Sequence, residues 1–146
     1  MHSLTKSGIF FAVGHVAQIK GSQRIGDIKG LTASHPALGW GLALGVLAIA
    51  GMPPFGVFMS EFLTVTTSFA RSPILALILV AGLLLAFGAL ALRLTGFLFG
   101  APEGSLRKAE ASLVPLYAHL ALVLGAGIHL PAAIVEWFQA VARLLG

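Results

Sequence analysis

Three ionisable side chains stand at positions where an otherwise apolar sequence offers little to solvate a charge. Glu61 follows a segment rich in glycine and proline, Lys6 lies inside the first apolar stretch, and His2 precedes Lys6 by four residues, on the same helical face. Amine, imidazole and carboxylate groups can pass protons through intervening water, and burial shifts their protonation equilibria. These residue types predict proton transfer at Glu61, Lys6 and His2.

The segment before Glu61 is predicted to interrupt a helix. Residues 37–70 are mostly apolar, and as one helix they would extend about 50 Å, which is longer than one bilayer core and too short for two crossings with a turn. Two adjacent prolines within them remove two backbone donors. We therefore expect half-helices at 37–50 and 56–69. The residues predicted to form the break are Gly51, Pro53, Pro54 and Gly56.

Each candidate also has an explanation that involves no chemistry. Glu61 could extend towards the membrane interface near the threonines that follow it, and Lys6 could extend with His2 into the headgroup region. Arg93 lies seven residues from the expected end of its helix, so snorkelling explains it as well as function does. His15 is expected to be a packing histidine on the face opposite Lys6. No spacing of side chains predicts a metal site.

Composition places the chain among integral membrane proteins. Of its 146 residues 58% are hydrophobic and 10% charged, against roughly 45–50% and about 25% in soluble proteins. The absence of cysteine excludes disulfides and cysteine-ligated metals or clusters. The net charge of +4 comes from basic residues clustered between apolar runs, which favours cytoplasmic loops over nucleic-acid binding.

The hydropathy pattern predicts an all-α, polytopic transmembrane helix bundle of about four spans, one of them discontinuous. The spans are expected near 1–19, 37–70, 74–100 and 113–131, in one transmembrane domain covering 1–146, with an interfacial helix at 132–146. The loops 20–36 and 101–111 share a side by parity. They hold five Lys or Arg residues, against Arg71 and Arg143 opposite, so we expect these loops in the cytoplasm.

Three motifs together resemble one family of membrane subunits. They are HSLTKSGIFF at 2–11, Gly30-Leu31, and GMPPFGVFMSEF at 51–62. This combination resembles the antiporter-like subunits of respiratory complex I, multisubunit sodium/proton antiporters and membrane-bound hydrogenases. Its ending in Ser-Glu-Phe is most similar to the hydrogenase-4 component F branch. The resemblance covers roughly residues 1–100, and the remainder matches only in hydropathy.

The resemblance implies roles for the residues already singled out. Lys6 falls on the family's buried lysine, His2 on the accompanying histidine, and Glu61 on the charged residue of the second broken helix. The family fold has about fourteen spans in two inverted five-helix repeats, so this chain is expected to be a C-terminal fragment that matches the last four. The glutamate–lysine pair of the first repeat has no counterpart in it.

The predicted function is that of a proton-translocating membrane subunit of a hydrogenase-4 or complex I-like oxidoreductase, in a bacterial or archaeal plasma membrane. The expected partners are other membrane subunits, the lipid bilayer and protons, with sodium as an alternative ion and no nucleic acid. No cofactor is expected, because the redox chemistry would lie in other subunits, and whether the chain counts as an enzyme stays open. The alternatives are a component of a sodium/proton antiporter or inorganic-carbon uptake complex, or a non-functional truncated remnant.

Overall fold

The computed structural model describes residues 1–21, 24–101 and 112–145. Seven α-helices and one 3₁₀ turn at Ile25–Asp27 form this part of the chain, which contains no strand. The helices are α1 (His2–Lys20), α2 (Leu31–Ser34), α3 (Pro36–Ile49), α4 (Gly56–Arg71), α5 (Pro73–Phe99), α6 (Val114–Ile128) and α7 (Ala132–Leu145). The expected all-α architecture with a discontinuous helix is confirmed.

Proline and glycine mark several of the helix ends. Pro36 and Pro73 are the first residues of α3 and α5, where a missing backbone N–H costs nothing because that donor has no intrahelical partner. Helix α1 ends at Gly21, which adopts the left-handed conformation at φ 65°. The N–H of Gly21 donates to the carbonyl of Ala17 at 2.9 Å and closes the last turn.

The bundle core lies among α1, α3 and α6. Helix α1 packs on both α3 and α6, while α5 packs along α4 and also contacts α2 and α3. Leu31, Leu42 and Leu116 belong to the same buried cluster. The fold thus combines a core among α1, α3 and α6 with α5, which at 27 residues is the longest described helix and packs along α4.

The end of α5 lies beside the loop that follows α1. A Cβ built on Gly100 would lie 3.0 Å from Cβ of Lys29, so the end of α5 adjoins the loop that follows α1. At the same end the hydroxyl of Tyr117 donates to the carbonyl of Ala37 at 2.7 Å. The basic residues Arg107 and Lys108, which supported the cytoplasmic prediction for this end, lie outside the described residues.

Helices occupy all four regions in which spans were expected, but they differ in length. Helix α5, with 27 residues, is the one described helix that alone has the length and hydropathy of a complete crossing. Helices α6 and α7 reach that standard only as a pair, and they are bent by 73° at the break between them. Helix α3 is apolar but short, because the proline segment ends it.

Candidate functional site at the helix break

The proline segment separates α3 from α4. The last residue of α3 is Ile49, and α4 begins at Gly56. Two hydrogen bonds close the connection: the N–H of Met52 donates to the carbonyl of Leu47 at 3.1 Å, and the N–H of Phe55 donates to the carbonyl of Met52 at 3.2 Å. The chain between the half-helices is therefore a tight, ordered turn rather than an extended loop.

Two carbonyl groups at the end of α3 have no backbone donor. Pro53 and Pro54 stand where the N–H groups for Ile49 and Ala50 would be, and no backbone N–H of the described residues bonds to either carbonyl. Unpaired backbone carbonyls at membrane depth are tolerated only where they are buried in protein or reach a hydrated cavity. The break therefore presents oxygen acceptors that a proton, a cation or water can use.

The break lies beside the middle of the long helix α5. Ala50 and Phe87 line the same small crevice between α3 and α5. Phe87 is about as far from Pro73 as from Phe99, the two ends of α5. A helix of 27 residues extends about 40 Å, so if α5 crosses a bilayer then the break is close to its midplane.

Glu61 directs its carboxylate back onto this break. It is the sixth residue of α4 and is half-buried. A Cβ built on Gly51 would overlap the Oε2 atom of Glu61 and lie 2.6 Å from its Cδ, so the carboxylate occupies the space that a side chain at residue 51 would need. Gly51 also has φ 72°, in the left-handed region that favours glycine.

Gly127 closes the break on the side of α6, a role that the sequence reading missed. A Cβ built on Gly127 would overlap the carbonyl oxygen of Pro54 and lie 2.6 Å from the amide nitrogen of Gly56. At Gly127 the backbone of α6 therefore lies directly against the backbone of the break. The available signal was the Gly125-x-Gly127 pair within an apolar helix, since small residues there indicate close helix approach.

The start of α1 lies against the same break. The Cγ atom of Met1 would be 3.0 Å from a Cβ built on Gly56. His2 and Lys6 follow in the first turns of α1, and both side chains are exposed in the isolated chain. No ion pair joins Lys6 to Glu61 within the described part of the chain.

Lys6 shares its helical face with residues that line a groove. Phe10, Val13 and Ala17 follow Lys6 at spacings of four, seven and eleven residues, and all three line a cavity between α1, α3 and α5. We call this cavity the α1/α5 groove. On α1 the groove lining begins at Ile9 and Phe10, which we call its inner end. Lys6 lies about one helical turn before this end, on the face of α1 that lines the groove.

Two other histidines, His15 and His119, lie within the helix packing. His15 is buried, as expected for a packing histidine. The Nδ1 atom of His119 donates to the carbonyl of Pro115 at 2.6 Å, and its ring lies 5.7 Å from that of Phe11. Within the described ranges, no group of three or more His, Asp or Glu side chains is placed to hold a metal ion.

A discontinuous helix inside an apolar helical bundle, with a carboxylate beside its break, is an arrangement found in polytopic membrane transporters. Residues 1–88 match the model of the NADH:quinone oxidoreductase/Mrp antiporter transmembrane family. The chain belongs to this family of antiporter-like membrane subunits.

Similarity extends to individual members of several complexes. The chain is 55% identical over 145 residues to the hydrogenase-4 component F homolog of Methylacidiphilum infernorum (isolate V4), covering 99% of this chain and 30% of the relative. It is 28% identical over 150 residues to an Na(+)/H(+) antiporter subunit of Bacillus subtilis (strain 168), covering 97% and 30%. Identity to an NADH-quinone oxidoreductase subunit of Desulfitobacterium hafniense (strain DSM 10664 / DCB-2) is 42% over 55 residues, covering 38% and 11%.

The chain therefore spans 30% of the length of the first and second of these relatives. The helix break lies inside the segment matched by the family model, whereas α6 and α7 lie beyond residue 88. The family match thus covers α1 to α4 and somewhat more than the first half of α5.

Proposed function

We propose that the chain forms part of a proton-translocating path in a hydrogenase-4 or complex I-like membrane assembly, with Glu61 as the proton carrier. The observation that carries the proposal is the carboxylate of Glu61 seated on Gly51, at a break that also leaves the carbonyls of Ile49 and Ala50 without backbone donors. A half-buried carboxylate beside unpaired carbonyls at membrane depth is the arrangement expected of an intramembrane ion site.

The chemistry follows from what each form of the carboxyl group can bond. When protonated, Glu61 has one O–H donor, and the carbonyl oxygens of the break are acceptors of the required kind. When ionised, it is an acceptor only, so it needs water or another donor in the same space. The two forms of Glu61 therefore need different bonding partners at the break.

Lys6 and His2 are proposed to supply the donor side of the path. They follow Met1 at the start of α1, and Met1 contacts Gly56 at the beginning of α4. His2 and Lys6 are thus one and five residues from Met1, which contacts the break, and neither forms an ion pair with Glu61 within the described residues. Protons would pass between Lys6 and Glu61 through water rather than by direct contact.

The partners of the chain are proposed from its relatives. These include a hydrogenase-4 component and subunits of an Na(+)/H(+) antiporter and of an NADH-quinone oxidoreductase, so we expect neighbouring membrane subunits to hold the redox or ion chemistry. The mostly exposed apolar surface of α5 requires lipid or such a neighbour. The proposed location is a multi-pass position in a bacterial or archaeal plasma membrane.

The test is Glu61→Gln in the assembled complex, with proton uptake measured in reconstituted vesicles. The variant keeps the size of the side chain and removes its titratable proton, so we expect proton movement to fall to the background level while assembly persists. Glu136→Gln is the matched control because Glu136 lies in α7 and is exposed. Undiminished proton uptake by Glu61→Gln, with normal assembly, would show that Glu61 is not the carrier.

Lys6→Ala is expected to reduce transport less than Glu61→Gln and to change its dependence on pH. Water can bypass one relay group, but removing an amine also removes a protonation step that shapes the pH profile. The measurement is the initial rate of proton uptake across a pH series. A rate–pH profile that matches the unmodified complex would indicate that Lys6 only extends to the membrane surface.

A sodium/proton exchange function is the second candidate, supported by the similarity to the antiporter subunit of Bacillus subtilis across 97% of the chain. The oxygen atoms at the break belong to backbone carbonyls and to the carboxylate of Glu61, and alkali cations use both as ligands. A sodium gradient imposed on the same vesicles separates the two candidates. Proton uptake driven by sodium, and lost in Glu61→Gln, would favour exchange over redox-driven pumping.

A further inference from the structure

The α1/α5 groove is an apolar cavity of about 570 Å³ whose lining contains one charged residue. Helices α1 and α5 form its two walls and α3 its floor. Val13 and Gly14 contribute from α1, Leu42 and Val46 from α3, and Leu90 from α5. The charged residue is Arg93, which lies on α5 one turn beyond Leu90.

Arg93 reaches the groove at a depth from which it can still bind a headgroup. It precedes the end of α5, Phe99, by six residues, which is about 9 Å along the helix axis. Its side chain is exposed, and no carboxylate of the described residues forms an ion pair with it. A guanidinium group at this depth is expected to snorkel towards the interface and to bind an anion there.

The lining of the groove is suited to acyl chains. Along α1 it runs from Ile9 to Ala17, about 12 Å in length, and every lining residue except Arg93 is apolar. An apolar groove in a membrane-spanning bundle can take acyl chains or an apolar helix, and the charges at its outer end favour one of the two.

The charge at the outer end of the groove favours an anionic headgroup. Ala17 and Ile28 line this end. The segment 18–29 contains three basic residues and one acidic residue: Lys20, Arg24, Lys29 and Asp27. Together with Arg93 the net formal charge of these side chains is positive whatever pairs they form. Basic pockets between transmembrane helices on the cytoplasmic side are typical binding sites for anionic lipid headgroups.

We propose that the α1/α5 groove binds an anionic phospholipid, with its acyl part between α1 and α5 and its phosphate paired with Arg93. The lipid fills the space beside Lys6 on the α1 face, so that the groove is closed to water at its outer end. This site is distinct from the helix break, and its test does not depend on proton movement.

The experiment places the full chain in phosphatidylcholine vesicles that contain a minority of phosphatidylglycerol. Spin-labelled forms of each lipid report, by electron paramagnetic resonance, the fraction whose acyl chain is immobilised by the protein. We expect the unmodified chain to prefer phosphatidylglycerol, and Arg93→Gln to lose about fivefold of this preference, since one basic side chain near the surface contributes about that factor. Arg93→Lys keeps the charge and should keep the preference.

A second pair of variants tests the groove itself. A Cβ on Gly14 would meet nothing within 4 Å, so Gly14→Leu can enter the groove without disturbing the helices and should reduce immobilised phosphatidylglycerol. Gly82→Leu is the matched control because Gly82 is equally open but lies outside the groove lining. It should behave like the unmodified chain.

Two results would overturn the proposal. One is equal immobilisation of phosphatidylglycerol and phosphatidylcholine by the unmodified chain. The other is an unchanged lipid preference in both Arg93→Gln and Gly14→Leu. If Arg93→Gln instead weakens assembly with neighbouring subunits and leaves lipid preference intact, the occupant is an acidic protein segment and not a lipid.

Discussion

At the scale of single residues, Gly51 and Glu61 form one unit. The left-handed backbone of Gly51 turns the chain after α3, and the space left by its missing side chain is filled by the carboxylate of Glu61. Glycine is required there for two independent reasons, one conformational and one steric. The position of the proposed proton carrier therefore depends on a residue that has no chemistry of its own.

Gly51→Ala is predicted to displace Glu61 and to destabilise the chain. The left-handed conformation costs a non-glycine residue about 1–2 kcal/mol, and the new methyl group would overlap the carboxylate in addition. The measurement is the denaturation midpoint in detergent, together with proton transport in the assembled complex. Gly82→Ala is the control, since it lies in open space within α5 and should gain up to about 1 kcal/mol. Equal stability of the two variants would contradict the proposed role of Gly51.

At the scale of elements, helix α6 supports the break from outside the broken span. Its Gly127 approaches the backbone of Pro54 and Gly56 so closely that no side chain fits between them. Val123 and Leu124 of α6 pack near the same place in a small apolar cluster with Ala48 and Phe55. The geometry of the break is thus set by two helices that are distant in sequence.

Gly127→Ala is predicted to destabilise the chain by about 1–3 kcal/mol. The added methyl group meets backbone atoms, which cannot move aside as a flexible side chain would, so α6 must shift. Gly125→Ala is a matched control two residues away, because a Cβ there meets nothing within 4 Å. Thermal unfolding of both variants in detergent measures the difference. A Gly127→Ala variant as stable as Gly125→Ala would show that α6 does not hold the break.

A side chain of helix α2 donates a hydrogen bond to a carbonyl group in the last turn of α5. The hydroxyl of Thr32 donates to the carbonyl of Leu98 at 2.7 Å, in the last turn of α5, where carbonyls lack intrahelical donors. Thr32→Val is predicted to cost about 1 kcal/mol of stability. Thr95→Val is the comparison, because Thr95 bonds only within α5, to Leu92, and is exposed. The order of unfolding midpoints, with Thr32→Val lower, checks this prediction.

At the scale of the whole molecule, α3 and α6 end beside the break, whereas α5 passes it. Helices α3 and α6 have 14 and 15 residues, and α5 has 27. Helix α7 turns away from α6 by 73° and exposes a strongly apolar face that includes Trp137 and Phe138. Such an amphipathic helix is expected to lie in the membrane interface.

The expected interfacial position of α7 can be tested with its own tryptophan. The sequence contains two tryptophans, Trp40 and Trp137, so Trp40→Phe leaves Trp137 as the single fluorophore. In vesicles with brominated lipids, we expect quenching of Trp137 to be strongest when the bromines are close to the headgroups. Trp137→Phe provides the converse control. Strongest quenching by bromines at the acyl-chain ends would instead place α7 within the hydrocarbon core.

The amino-acid sequence by itself determined the class of fold and the location of the break. A composition of 58% hydrophobic residues leaves too little polar surface for a soluble protein, and hydropathy then outlines the helices. Pro53 and Pro54 cannot donate hydrogen bonds, so the end of α3 follows from covalent structure alone. The candidate proton-transfer residues were found for a similar reason, because charges are rare and costly in such a sequence.

Only the tertiary structure decided which residues meet. The contact of Glu61 with Gly51 depends on how α4 folds back along the break. The contact of Gly127 with Pro54, 73 residues apart in the sequence, depends on the packing of α6. The face of α1 that carries Lys6 and the position of Arg93 on α5 were both readable as helical periodicity. The sequence did not show that these two faces border one groove, because local periodicity fixes the face of each helix but not the neighbour that this face meets.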